Sequence, residues 1–148
     1  MYDSVRIIEE TCKPKIKGEK SLHIGFWRRY ALLINLSQDT RAGAHIFKLM
    51  PGVQEFFDLV DTCFAEIDKL LYELYSLVTP DQQRECGKSF LMCVVNRGGT
   101  GPHVDWNDYR EGCCCVAPVG CDWIGGELAF RDLKIVVDCK PGDLVFFR

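Results

Sequence analysis

The sequence predicts an α+β domain, and three observations carry that expectation. In the first half, apolar residues recur at three- and four-residue spacing over one long stretch, the period of an amphipathic helix. The second half breaks into short apolar segments, each ended by turn chemistry, as strands are. The 148 residues, 47% apolar and 26% charged, have the size and composition of one globular domain. No repeat, low-complexity tract or linker divides them.

Taken in order, Lys13-Pro14-Lys15-Ile16-Lys17-Gly18-Glu19-Lys20 is the basic run and reads as a solvated arm. Ser21 to Trp27 reads as a strand, and Tyr30 to Leu36 as a second apolar segment whose type the pattern leaves open. Arg28-Arg29 between them either lines a substrate groove or is solvated at a strand end. Pro51-Gly52 marks the start of one long helix from Val53 to about Val78. Phe56, Phe57, Leu59, Val60, Cys63, Phe64, Ile67, Leu70, Leu71, Leu74 and Tyr75 form its apolar stripe, with Gln54, Glu55, Asp58, Asp61, Glu66 and Asp68 mostly between them. That stripe is expected to bury against a sheet rather than recruit a partner. Thr79-Pro80-Asp81 closes the helix and opens a short helical turn through Glu85.

The second half opens with Val94-Val95-Asn96-Arg97, an apolar strand, and the glycine-rich turn Gly98-Gly99-Thr100-Gly101. After a polar loop come Cys113 to Val119, Gly125 to Phe130, Lys134 to Val137 and Lys140 to Phe147, each a short β-type segment. The turn at Gly98–Gly101 delivers Pro102-His103-Val104-Asp105. Side chains alternate along an extended chain, so His103 and Asp105 point to one face and can chelate one ion, while Val104 faces away. An imidazole and a carboxylate, completed by a second imidazole, make the facial triad of non-heme Fe(II) sites.

Together, His103-x-Asp105, Gly125-Gly126-Glu127-Leu128 and Pro141-Gly142-Asp143-Leu144-Val145-Phe146 resemble the core of the Fe(II)/2-oxoglutarate-dependent dioxygenase family, in the branch that includes prolyl 4-hydroxylase-like domains. The resemblance implies a double-stranded β-helix, or jelly roll, buttressed by the long amphipathic helix. It covers residues 88–148 by specific motifs, and residues 1–87 as N-terminal strands and supporting helix of the same single domain. It implies His103 and Asp105 as metal ligands, Fe(II) and 2-oxoglutarate as cofactors, and hydroxylation of a C–H bond coupled to decarboxylation of 2-oxoglutarate. Related domains act on protein side chains, small metabolites or nucleobases, so the substrate stays open. Asn96 contacts either cosubstrate or turn backbone, and Trp106 and Tyr109, in the loop after the ligands, are candidates to flank substrate.

The chain departs from the family pattern at two positions. Neither the second metal histidine nor the basic residue that pairs with 2-oxoglutarate follows Phe146-Phe147-Arg148. The expectation is therefore an incomplete jelly roll, truncated before the third ligand, that binds Fe(II) weakly and does not turn over. The alternative is a non-catalytic binding or scaffold remnant of the same fold. No other catalytic residue is assigned. His23 and His45 precede the motif by more than fifty residues and read as ordinary surface or partly buried histidines.

Nine cysteines in a chain of this length read as reduced thiols, several of them buried. Cys113 and Cys115 share a face of their strand, but a structural zinc site needs two such pairs, so the triplet reads as small apolar residues between layers. The net charge of −3 argues against tight, nonspecific nucleic-acid binding. No segment has the apolar length of a membrane helix and none has the apolar core of a signal peptide, so an intracellular protein, cytoplasmic or nuclear, is expected.

Overall fold

The computed structural model describes residues 21–27, 34–43, 49–96, 103–106, 108–121 and 124–148. The basic run, Arg28-Arg29, His45 and the glycine-rich turn lie outside these residues.

Strand β1 (Ser21–Trp27) forms over the span the sequence predicts, because its buried Leu22 and Ile24 alternate with half-buried residues. It pairs antiparallel with the short β2 (Asn35–Leu36) on one side and with β3 (Met92–Asn96) on the other, giving the order β2-β1-β3. Gly25 holds a φ of 110°, and a Cβ there would lie 2.2 Å from the Leu91 carbonyl oxygen. Only glycine lets these strands come this close. The short helix α1 (Gln38–Arg41) is capped by Ser37, whose hydroxyl accepts from the Thr40 N–H at 3.1 Å and donates to the His23 carbonyl. Thr40 returns the contact by accepting from the Gly25 N–H at 2.8 Å. A buried hydroxyl pair thus replaces ladder partners where β2 is too short to supply them.

The single helix expected over Val53–Val78 is two helices, α2 (Val53–Ile67) and α3 (Lys69–Val78). Asp68 breaks it: at φ −145°, ψ 83° it leaves helical space, and its Oδ1 accepts from the Leu71 N–H at 3.0 Å to cap α3. Aspartate competes for backbone donors in this way, which is why it favours caps over helix interiors. Beyond α3, Asp81–Gln83 makes a 3-10 turn where the sequence places a helical turn.

Two apolar clusters hold these elements. Val53 and Phe57 of α2 pack with Leu22, Ile24 and Cys86, flanked by Cys93 and Val95 of β3. On α2, Val53 and Phe57 therefore bury against the sheet, whereas Leu59 and Ile67 of the expected stripe are exposed. On α3 only Leu71 is buried, while Leu70, Leu74 and Leu77 face outward. The second cluster is aromatic. Phe64, fully buried, stacks on Phe90 at 5.5 Å and on Phe146 at 5.6 Å, and meets Tyr72 and Tyr75 edge-on.

The remaining strands are β4 (Cys114–Val116), β5 (Leu128–Phe130), β6 (Ile135–Val137) and β7 (Val145–Phe147). β4 pairs antiparallel with β7 and β5 with β6, with Phe130 edge-on to Phe147 at 4.9 Å between the two ladders. Each is shorter than its sequence segment, because the flanking Gly125-Gly126 and Pro141-Gly142 are spent on turns with positive φ at the glycines. The architecture is α+β. Among the described residues these ladders stay separate and do not join into the two facing sheets of a closed jelly roll.

Candidate metal centre

His103 and Asp105 fall in irregular chain between β3 and β4 rather than in a strand. The side chains nonetheless converge, with His103 Nε2 3.7 Å from Asp105 Oδ2. Both are open to solvent, the side chains 57% and 66% exposed. Donor atoms at this separation lie within the span that two metal bonds of about 2.1 Å each can bridge. The donor set, one imidazole nitrogen and one carboxylate, suits a divalent first-row ion. Among the described residues no group of three or more His, Cys, Asp or Glu side chains is arranged to hold a metal.

The loop that carries the pair folds on itself. The Trp106 N–H donates to the Val104 carbonyl and the Asp108 N–H to the Asp105 carbonyl, both at 3.0 Å. Trp106 is 85% and Tyr109 57% exposed, so both aromatics are open to solvent in the loop that follows the pair. The Tyr109 hydroxyl donates to Glu111 Oε2 at 3.4 Å. Asn96, at the end of β3, accepts from the Ser21 hydroxyl at 2.5 Å, a contact that ties the two strand ends together.

The loop is tied to the rest of the fold at two points that the sequence does not announce. Asp108 Oδ2 accepts from the Cys114 thiol at 3.0 Å. The Tyr75 hydroxyl, from α3, accepts from the Cys113 N–H at 2.7 Å. Burial raises the Tyr75 pKa, so the phenol stays protonated. Gly112 makes this contact possible, since a Cβ there would lie 2.2 Å from the Tyr75 hydroxyl. Tyr75 reads in the sequence as one more residue of an apolar stripe, and Asp108 as one more loop polar residue. No local pattern marks a side chain whose partner is 38 positions away.

The cysteines are free thiols at the eight described positions. Burial pushes Cys115 up to about 12, and burial together with the Asp108 carboxylate does the same for Cys114. Cys93 is pushed up to about 11 by burial alone, and Cys113 is raised as well. Protonated thiols are poor metal ligands. Cys121, by contrast, is exposed. His23 is half-buried on β1, with its backbone N–H donating to Asp39 Oδ2 at 2.9 Å, its ring Nδ1 3.7 Å from the same oxygen and its ring 5.0 Å from that of Trp27. Among the described residues no helix is long and apolar enough to cross a membrane.

The chain is 28% identical over 89 residues to the bifunctional helicase and thymine dioxygenase JBP2 of Leishmania tarentolae, and equally to that of Leishmania infantum. It is 28% identical over 101 residues to the thymine dioxygenase JBP1 of Crithidia fasciculata. These alignments span 60% and 68% of this chain, but only 8% and 12% of the respective relatives. The similarity supports a relationship to dioxygenases, while the prolyl hydroxylase-like branch expected from the sequence finds no match in these relatives. No protein-family model and no solved structure matches the chain.

Proposed function

We propose that this chain is part of an Fe(II)/2-oxoglutarate-dependent oxygenase domain that hydroxylates a thymine base, with His103 and Asp105 as two of the three metal ligands. The observation that carries the reading is the convergence of an imidazole and a carboxylate, both open to solvent, in a chain similar to thymine dioxygenases.

The residues divide the work. His103 would hold the ion through its Nε2 and Asp105 through its Oδ2. Bound there with 2-oxoglutarate, Fe(II) would supply the oxygen activation needed to break a C–H bond, chemistry that the side chains themselves do not provide. The methyl group is the one sp3 carbon of the thymine base and is the expected site of hydroxylation. Trp106 and Tyr109 are exposed next to the pair and present aromatic faces on which a pyrimidine can stack. A small-molecule cosubstrate is thus the first partner, and a nucleobase the second.

The jelly-roll core implied by the family resemblance belongs to this proposal, supported by the order of turn and strand at Gly125–Phe130 and Pro141–Phe147. So does an intracellular location, cytoplasmic or nuclear, which the eight free thiols support. Two ligands hold an ion less tightly than three, so the 148-residue chain is expected to bind Fe(II) weakly and to make no succinate. The same count among the described residues favours a second reading, a non-catalytic binding or scaffold module of the same fold.

Anaerobic Fe(II) titration of the 148-residue chain tests the site: weak binding that is lost in both His103→Ala and Asp105→Ala is expected. Free imidazole, added as the third ligand together with 2-oxoglutarate and a thymine-containing oligonucleotide, separates the two readings. Hydroxylated thymine dependent on His103 supports the oxygenase. Fe(II) binding indifferent to both substitutions removes the site.

A further inference from the structure

Residues 103–106 are exposed and take part in no strand ladder, yet a metal pair must hold its geometry to bind. A contact that orders the loop before the ion arrives removes part of the entropy cost of binding. Among the described residues such a contact runs to the loop from a strand. β4 is fixed by its ladder to β7, where Cys114 lies opposite Phe147 and Cys115 opposite Phe146. Just before it, the Cys113 N–H is held by the Tyr75 hydroxyl of α3 at 2.7 Å. From this fixed base the Cys114 thiol donates to Asp108 Oδ2 at 3.0 Å. The Asp108 N–H donates in turn to the carbonyl of Asp105, again at 3.0 Å. Two hydrogen bonds therefore connect a ladder residue to the backbone of the carboxylate ligand.

We propose that Asp108 and Cys114 are positioning residues for the Asp105 carboxylate, so that β4 sets the affinity of the His103–Asp105 pair for a divalent cation. This inference rests on the metal reading of that pair. Neither residue belongs to the two packed clusters, Asp108 being exposed and Cys114 half-buried. Loss of the contact therefore loosens the ligand loop while the fold keeps its cores. Residues that orient a ligand from one step behind it typically govern metal affinity by about tenfold or more.

The test uses Mn(II) alone as probe, with the free ion followed by electron paramagnetic resonance in the presence of the 148-residue chain. Cys114→Ala and Asp108→Ala are each expected to weaken Mn(II) binding by about tenfold, with unchanged thermal midpoints. Cys114→Ser, which keeps a donor in place, is expected to bind close to the parent. A second measurement needs no metal: amide hydrogen exchange at Asp108 is expected to speed up in Cys114→Ala while exchange in β1 and β3 stays as it was. Parent-like affinity in Cys114→Ala, with binding still lost in His103→Ala, overturns the positioning role and leaves the metal pair standing. Parent-like exchange at Asp108 in the same variant overturns it as well. Absence of any His103-dependent Mn(II) binding in the parent removes the metal reading itself, and this inference with it.

Discussion

Gly112→Ala and Tyr75→Phe are expected to be strongly coupled, because a single hydroxyl occupies the space that the new methyl group needs. At Gly112 a Cβ would meet the Tyr75 hydroxyl at 2.2 Å and the Tyr109 carbonyl oxygen at 2.7 Å, both well inside van der Waals contact. Relief requires the phenol to move, and moving it breaks the 2.7 Å bond to the Cys113 N–H. Overpacking of this kind costs about 1–3 kcal/mol, and the lost hydrogen bond adds about 1 kcal/mol. Gly112→Ala alone should then destabilise by about 2–4 kcal/mol. Tyr75→Phe alone removes the hydrogen bond and costs about 1 kcal/mol. In the double variant the hydroxyl is absent, so the larger clash disappears and only the Tyr109 carbonyl remains in the way. The pair should therefore fall short of additivity by about 1–2 kcal/mol. Urea unfolding of the four proteins, at unchanged m, measures this directly. Additivity within about 0.5 kcal/mol, or a neutral Gly112→Ala, would refute the reasoning.

Three further outcomes are expected. Phe64→Ala empties the centre of the aromatic cluster and should cost about 3–5 kcal/mol, read as a lower urea midpoint with loss of near-ultraviolet circular dichroism from Tyr72 and Tyr75. Asp68→Ala removes the cap of α3 and the partner of Arg148, whose Nη2 lies 2.5 Å from Asp68 Oδ2. It should cost about 1 kcal/mol, with most of the loss from the cap, since the ion pair is solvent-facing. The raised thiols fix the sign of the alkaline response. Cys93, Cys114 and Cys115 keep their protons in the folded state above the pH at which an unfolded thiol, near 9, gives them up. Stability is therefore intact below pH 9 and falls as pH rises from there toward about 11 to 12. Denaturation midpoints across that window check the slope, and at pH 8 iodoacetamide should label exposed Cys121 well before Cys93 or Cys115.

Legibility in the sequence followed the range of the interaction. β1 was readable to the residue because alternation is local, and Leu22 and Ile24 are buried as that pattern requires. The segments at 125–130, 134–137 and 140–147 were readable as strands with turns, though not their lengths, because glycine and proline mark where a ladder must stop without saying how many bonds precede them. The break at Asp68 was present as a helix-capping residue but hidden inside an unbroken three-and-four period that continues on both sides. For the candidate site, the residues His103 and Asp105 were legible and their local backbone was not. Period-two logic asks for a strand, whereas the loop brings the two side chains together through its own turns. Tyr75, Cys114 and Asp108 were invisible as a set, since each gains its role from a partner that only the fold brings near.

The helical first part and the strand-rich second part are joined by specific contacts. A boundary near residue 88 falls where the buried carboxylate of Asp61, on α2, accepts from the Lys88 N–H at 2.7 Å, the Ser89 N–H at 3.1 Å and the Ser89 hydroxyl at 2.6 Å. Three donors on one carboxylate satisfy a charge that would otherwise be costly to bury. Gly87 permits the approach, because its Cβ would lie 2.8 Å from Asp61 Oδ2. On either side of this clamp, β1 pairs with β3 and Phe64 stacks on Phe146, so strands from both parts share one sheet and one aromatic core. Strand β1 and helices α2 and α3 thus pack directly with the part that carries His103 and Asp105. A fragment beginning at residue 88 would lose the strand beside β3, the acceptor at Asp61 and the Tyr75 hydroxyl that steadies β4. It would leave His103 and Asp105, the proposed ligands, on a loop without that base, and is expected to lose any His103-dependent binding of a divalent cation.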